Sequence, residues 1–239
     1  MRATRVTTTA ALAALLLAAG TQAAGARPVG PFEVGGAIEI EFDAAGGVEA
    51  LGEPTGPEQD AARGGKWQGF ARNAAVYWSE ATGAQTVTGP VRDKWGQLGA
   101  EGGALGYPVT REAATPGDTG RFAHFQGGSV YWSLGTAAHQ VSGLIRDKWG
   151  SYGWEGSALG FPVTDEQAGA RGGRYNLFNG GAIYWASASG AHVVWGALRE
   201  KWVAAGGDGG RYGYPTSDEY DFGDGKAQDF QGGRITWEP

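Results

Sequence analysis

The sequence predicts a mainly β protein with short helices, built as four tandem modules stacked into a stalk. Three observations carry that expectation. Three separate motifs recur with a period of 53 to 54 residues, apolar periodicity switches within each period from helical to alternating, and glycine and aromatic residues are abundant together. Glycine makes up 45 of the 239 residues, well above the usual share of about 7%, beside 10 Trp, 9 Tyr and 9 Phe. Disordered chains lack the aromatics needed to bury apolar surface, so this composition describes many tight turns around small aromatic cores.

The chain begins with Arg2 and Arg5, followed by an apolar run from Ala10 to Ala19 and then small residues. That order reads as a secretory signal peptide over residues 1–26, cleaved after the small-x-small sequence Ala24-Gly25-Ala26. The apolar run is shorter than the roughly 20 residues that span a bilayer, so no transmembrane segment is expected in the mature chain. Cleavage leaves 17 basic and 25 acidic residues, a net charge of −8. An acidic chain without a Lys/Arg cluster lacks the footprint that replaces phosphate counterions, which argues against nucleic acid as a partner. With no Cys at all, disulfides, thiolate metal sites, a thiol nucleophile and a lipidated Cys are excluded.

The first marker of the repeat is a Gly-x-Pro turn: Leu51-Gly52-Glu53-Pro54, Leu105-Gly106-Tyr107-Pro108, Leu159-Gly160-Phe161-Pro162 and Tyr212-Gly213-Tyr214-Pro215, at steps of 54, 54 and 53. The second is Tyr77-Trp78, Tyr131-Trp132 and Tyr184-Trp185, with Thr236-Trp237 in the fourth copy. The third is Val91-Arg92-Asp93-Lys94-Trp95, Ile145-Arg146-Asp147-Lys148-Trp149 and Leu198-Arg199-Glu200-Lys201-Trp202. An eroded version of the third lies at Ile38 and Phe42, around Glu39-Ile40-Glu41. Terminal repeats are often atypical because they lack one neighbour. The modules are therefore 36–88 (degenerate), 89–142, 143–195 and 196–239 (truncated).

Each module opens with a short helix, because Val91, Trp95 and Leu98, like Ile145, Trp149 and Tyr152, fall at i, i+4 and i+7 and form one apolar stripe. Gly99 and Gly153 end it, glycine being the residue that readily takes the left-handed conformation just past a helix. The Gly-x-Pro motif makes a rigid turn, since proline biases its predecessor toward extended backbone. Strands follow at Arg121 to Phe125 and Ser129 to Ser133, joined by Gln126-Gly127-Gly128; Asn179-Gly180-Gly181 is the corresponding link one module on. A third strand around Ala138 to Val141 completes a meander. So few aromatics per module bury little surface alone, so neighbours must share apolar contacts. A linear stalk and a closed four-bladed propeller-like ring both satisfy this.

A catalytic centre is normally one asymmetric constellation, whereas here every polar motif appears three or four times, which points to binding or structure rather than an enzyme. There is no Gly-x-Ser-x-Gly elbow, His-Glu-x-x-His or phosphate loop, and no cofactor or metal is expected. His139 and His192 are equivalent positions matched by Gln85, which reads as a hydrogen-bonding role. The acid pairs Asp165-Glu166 and Asp218-Glu219 follow the proline turn, where with Thr164 or Ser217 they can bond nearby backbone N–H groups, and they count among the candidate ligand-binding residues. Arg92, Arg146 and Arg199 offer planar donor forks to carboxylate or hydroxyl groups of a polymer, or else belong to a solvated helix face. Trp95, Trp149, Trp202, Trp132 and Trp185 read as module cores. Tyr107, Phe161 and Tyr214, held beside a proline, are the candidates for exposed sugar-binding platforms.

These motifs closely resemble the LGFP repeat family, whose name motif stands unchanged as Leu159-Gly160-Phe161-Pro162. The resemblance extends to Ile145-Arg146-Asp147-Lys148-Trp149 before it and the Phe-x-Gly-Gly-x-Ile/Val-Tyr-Trp hairpin after it, over roughly residues 36 to 239. The family's members are exported proteins of bacteria with arabinogalactan-type envelopes, where such repeats accompany mycoloyltransferases and cell-wall hydrolases or stand alone. The resemblance implies a small β-rich module that associates with the peptidoglycan–arabinogalactan wall and supports envelope integrity. Glu53 in the first copy and Tyr212 in the last depart from the pattern. No catalytic domain is attached. The expectation is a secreted, cell-wall-associated array whose weak sites bind envelope polysaccharide multivalently. The alternative is a scaffold that recognises other envelope proteins without glycan.

Overall fold

The computed structural model describes residues 25–239. The expected signal peptide falls on residues outside that range save for Gly25 and Ala26. No helix among the described residues is long and apolar enough to cross a membrane.

Helices α1 (Gly36–Ala44), α2 (Gly47–Leu51), α3 (Gly89–Gln97), α4 (Gly143–Ser151) and α5 (Gly196–Ala204) punctuate four antiparallel sheets. The second module is representative: α3, the Pro108 turn, then strands Ala113–Ala114, Gly120–Phe125, Gly128–Ser133 and Ala137–Ser142 paired in sequence order. Modules one and three repeat this order, and the fourth has three strands ending at Trp237. The two-residue first strand was missed from sequence because two residues carry no alternation to read. A separate hairpin, Arg27–Val29 with Phe32–Val34, leads into α1. The Gly residues past the helices take left-handed φ as expected, 93° at Gly99 and 101° at Gly153.

The core sits between modules. Ala75, Tyr77 and Val87 of the first sheet pack with Val91, Trp95, Leu105, Tyr107 and Phe125 of the second module in one buried cluster. Tyr77 meets Trp95 edge-on at 4.6 Å, Tyr131 meets Trp149 at 4.6 Å and Tyr184 meets Trp202 at 4.6 Å. Each Tyr-Trp motif thus inserts its tyrosine against the helix tryptophan of the next module. A buried aromatic of this size contributes on the order of 4–6 kcal/mol of gross burial energy, so each module depends on its neighbour. Among the described residues the sheets close into no barrel, and the buried clusters join each module to the next but none joins the first to the fourth, so the stalk replaces the propeller-like alternative.

The Gly-x-Pro motif has a physical explanation. The indole N–H of Trp95 donates to Gly106 O (3.0 Å), Trp149 to Gly160 O (3.2 Å) and Trp202 to Gly213 O (2.9 Å). Turning that carbonyl inward needs φ near +65° at the motif glycine, which glycine adopts without a Cβ penalty. The hairpin link clamps the same turn: Tyr107 N, Phe161 N and Tyr214 N donate to the side-chain oxygens of Gln126, Asn179 and Gln231. A Cβ on Gly180 would lie 1.9 Å from Ala158 O, which is why the first of the link's two glycines is required.

Candidate functional site

Tyr107 and Tyr214 are not platforms. Each is 2% exposed, and its hydroxyl donates to a carbonyl of the preceding module, Ala62 O for Tyr107 and Ala170 O (2.5 Å) for Tyr214. Burial raises both phenol pKa values. The acceptor loops share the sequence Ala-Arg-Gly-Gly, and their Ala62 and Ala170 N–H groups are met by Glu101 and Asp208. Phe161 packs over Gly120, just past the different loop Pro116–Asp118 in the preceding module, and is half-buried. The aromatic of the motif is therefore a joint between modules, matched to the loop it meets.

The arginines also face the preceding module. Arg92 donates to Asn73 Oδ1 (2.8 Å). Arg146 donates to Ser129 Oγ (2.5 Å) and lies 5.2 Å over the Trp154 ring. Arg199 is half-buried, its Nε without a partner among the described residues. None of the three meets the motif aromatics, so the forks and platforms expected to cooperate are apart.

The aspartates reach further than the local turn expected of them. Asp165 Oδ1 accepts from Gln140 N (3.0 Å) on the outer strand of the preceding sheet, and Oδ2 accepts from Lys94 Nζ (2.9 Å). Asp218 repeats this with Val193 N (2.9 Å) and Lys148 Nζ (2.9 Å). Burial alone would raise these carboxyls, but hydrogen bonds from His139 and Lys94, or His192 and Lys148, hold both well below the usual carboxylate range. Between modules one and two the same joint is built with charges exchanged: Glu41 accepts from Thr86 N (3.1 Å) and pairs with Arg111 (2.7 Å). In every case a carboxylate occupies an N–H of an outer strand, which also blunts an edge open to unwanted pairing. The local turn role falls to Thr164 and Ser217, whose hydroxyls accept from Leu177 N and Asp229 N. His139 and His192 bond the carbonyls of Thr136 and Ser189 (2.8 Å), and Gln85 does the same to Thr82 O.

The glutamates lie elsewhere. Glu58, Glu112, Glu166 and Glu219 each fall four residues after the motif proline, near the N-terminus of their own module's helix. Glu112 accepts from Thr88 N (3.1 Å) and Glu166 from Ser142 Oγ (2.8 Å), the residues just before α3 and α4. Burial raises the Glu112 pKa against the lowering effect of its bonds to Thr88. Beside this carboxylate stands the Trp of the Tyr-Trp motif, and directly across the strand pair from that Trp is a basic residue: Lys66 and Trp78, Arg121 and Trp132, Arg174 and Trp185, Lys226 and Trp237. These four tryptophans are half-exposed, so the reading of Trp132 and Trp185 as pure core needs correction.

Glutamate, base, tryptophan and helix N-terminus enclose a groove. In the fourth module Leu198, Glu219, Lys226 and Trp237 line a cavity of about 400 Å³; in the third Ile145, Glu166, Arg174 and Trp185 line one of about 540 Å³; in the first Ile38, Glu58, Lys66 and Trp78 line one of about 240 Å³. An indole face with a hydroxyl-binding acid and base beside it suits a ligand with one apolar and several polar faces. Sequence reasoning chose Glu166 and Glu219 but missed Trp185, Trp237 and the bases. The available signal was the recurrence of a basic residue 11 or 12 positions before each Tyr-Trp tryptophan.

The sequence profile of the LGFP repeat matches residues 51–103, 105–157, 159–210 and 213–239, beginning each repeat at the Gly-x-Pro turn. No curated protein matches the chain. With most of its length matched by the repeat profile, the chain belongs to the LGFP repeat family.

Proposed function

We propose that this is a secreted, non-catalytic protein of the cell wall that binds envelope polysaccharide through its repeated grooves and so supports envelope integrity. The observation that carries the reading is the recurrence of one groove, with its tryptophan, carboxylate and base, in the first, third and fourth modules of a stalk. Family membership is consistent with wall association, and the acidic mature chain argues against a nucleic-acid partner. A single shallow groove binds weakly, but linked grooves gain through effective concentration, by as much as 10²–10⁴ in overall avidity. The groove residues contact a sugar ring through the indole face and its hydroxyls through Glu and Arg or Lys.

The test is retention of the mature chain on purified peptidoglycan–arabinogalactan at physiological salt. Retention is expected, with a stepwise loss as Trp132→Ala, Trp185→Ala and Trp237→Ala are combined. No retention by the folded wild-type chain refutes glycan binding. Capture of an envelope protein that survives glycan digestion replaces it with the scaffold reading.

A further inference from the structure

The grooves are not equal. In the third module the residue before the helix is Ser142, and its hydroxyl occupies Glu166 (2.8 Å). In the second, Thr88 N occupies Glu112 (3.1 Å). At the corresponding place before α5 stands Trp195, which has no hydroxyl to give and lines the 400 Å³ cavity together with Glu219 and Trp237. The two indoles belong to opposite walls: Trp195 packs on the cluster around Trp149 and meets Tyr152 edge-on at 5.6 Å, whereas Trp237 packs on the cluster around Trp202. The basic partner here, Lys226, is drawn off to the exposed Asp221. Trp195 thus adds a second aromatic wall to this groove, beside a Glu219 that makes neither the backbone bond of Glu112 nor the hydroxyl bond of Glu166.

We propose that the fourth-module groove is the principal sugar site of the array and takes a neutral, hydroxyl-rich sugar ring. This deepens the glycan reading and rests on it. The ring's apolar C–H faces lie against Trp195 and Trp237, and its hydroxyls donate to the Glu219 carboxylate, a charge-assisted acceptor. A uronate or phosphorylated sugar is turned away, because its charge meets Glu219 with Lys226 engaged elsewhere. The other grooves, each with a single tryptophan, follow the polymer weakly.

The experiment uses the full mature chain, with two probes separated from purified wall polysaccharide by ion exchange: a neutral fraction and an anionic fraction. Binding is read by calorimetry and by tryptophan fluorescence. The neutral fraction is expected to bind. Trp195→Ser, which installs the third module's residue, is expected to weaken it about thirtyfold, the lower bound of an interface hot spot, against about twofold for Trp185→Ala. Glu219→Gln keeps the shape of the groove, and it is expected to weaken the neutral fraction and admit the anionic one. If Trp195→Ser and Glu219→Gln bind as wild type while Trp185→Ala does not, the proposal is overturned and general glycan binding stands. Preference of the wild type for the anionic fraction also overturns it. If the wild type binds neither fraction, the glycan reading fails and takes this proposal with it.

Discussion

Reversing one charge in the joint between the third and fourth modules tests whether these modules are held by a specific ion pair or only by apolar packing. Lys148→Glu places a second carboxylate against Asp218, which now accepts both Lys148 Nζ (2.9 Å) and Val193 N (2.9 Å). The side chains are about a quarter exposed, 23% for Lys148 and 28% for Asp218. The pair therefore lies between an exposed one, worth roughly 0.2–1 kcal/mol, and a buried one, whose disruption costs roughly 3–5 kcal/mol. A hydrogen bond to a charged group contributes about 1.5–3 kcal/mol, so a loss of about 2 kcal/mol is expected. For a chain of this size that lowers Tm by roughly 4–8 °C.

The chain contains its own rescue design. Glu41 and Arg111 hold the equivalent places with opposite charges, and Glu41 takes over the outer-strand N–H. Lys148→Glu combined with Asp218→Arg should therefore recover most of the loss, with a coupling energy of at least about 1 kcal/mol in a double-mutant cycle. Thermal and urea unfolding followed by far-UV circular dichroism supply the measurement. Strictly additive losses would refute the exchangeable joint and leave apolar packing as the whole of the contact.

Acidification should weaken the same joints. Asp165 and Asp218 have folded-state pKa values lowered below the unfolded value near 3.9, so their contribution is fully present above that value and is lost as pH falls through the folded pKa. A Tm profile should therefore decline below about pH 4–5, and Asp165→Asn with Asp218→Asn should lower Tm at neutral pH while flattening the acid limb. Trp202→Phe removes the donor to Gly213 O (2.9 Å) at a buried site and is expected to cost about 1–3 kcal/mol in urea unfolding. Gly180→Ala drives a Cβ into Ala158 O and should cost more than about 3 kcal/mol, among the largest single-site losses. Gly96→Ala, on the exposed side of α3 with nothing within 4 Å of the added Cβ, should instead stabilise by about 0.5–1 kcal/mol.

What the sequence by itself determined was the module and its local parts. The period, the helix stripe of Val91 and Trp95, the glycine stop at Gly99, the hairpin links and the shared aromatic core all follow from side-chain periodicity and backbone preference, which act between residues near in sequence. Stacking followed as well, since one module cannot bury enough surface alone. Only the tertiary structure decided what each polar motif residue serves. Tyr107 and Tyr214 look like platforms beside a proline until the Ala62 and Ala170 carbonyls appear some 45 residues away. Asp165 and Glu166 are neighbours in the chain yet divide between a module joint and a groove, since one reaches Gln140 and Lys94 and the other Ser142. Trp132 and Trp185 keep one face in a core and the other in solvent, a division that periodicity does not report. The exposed face, the cross-strand base and the carboxylate near the helix N-terminus come together only when the strands pair, and with them the groove that the repeated motif encodes.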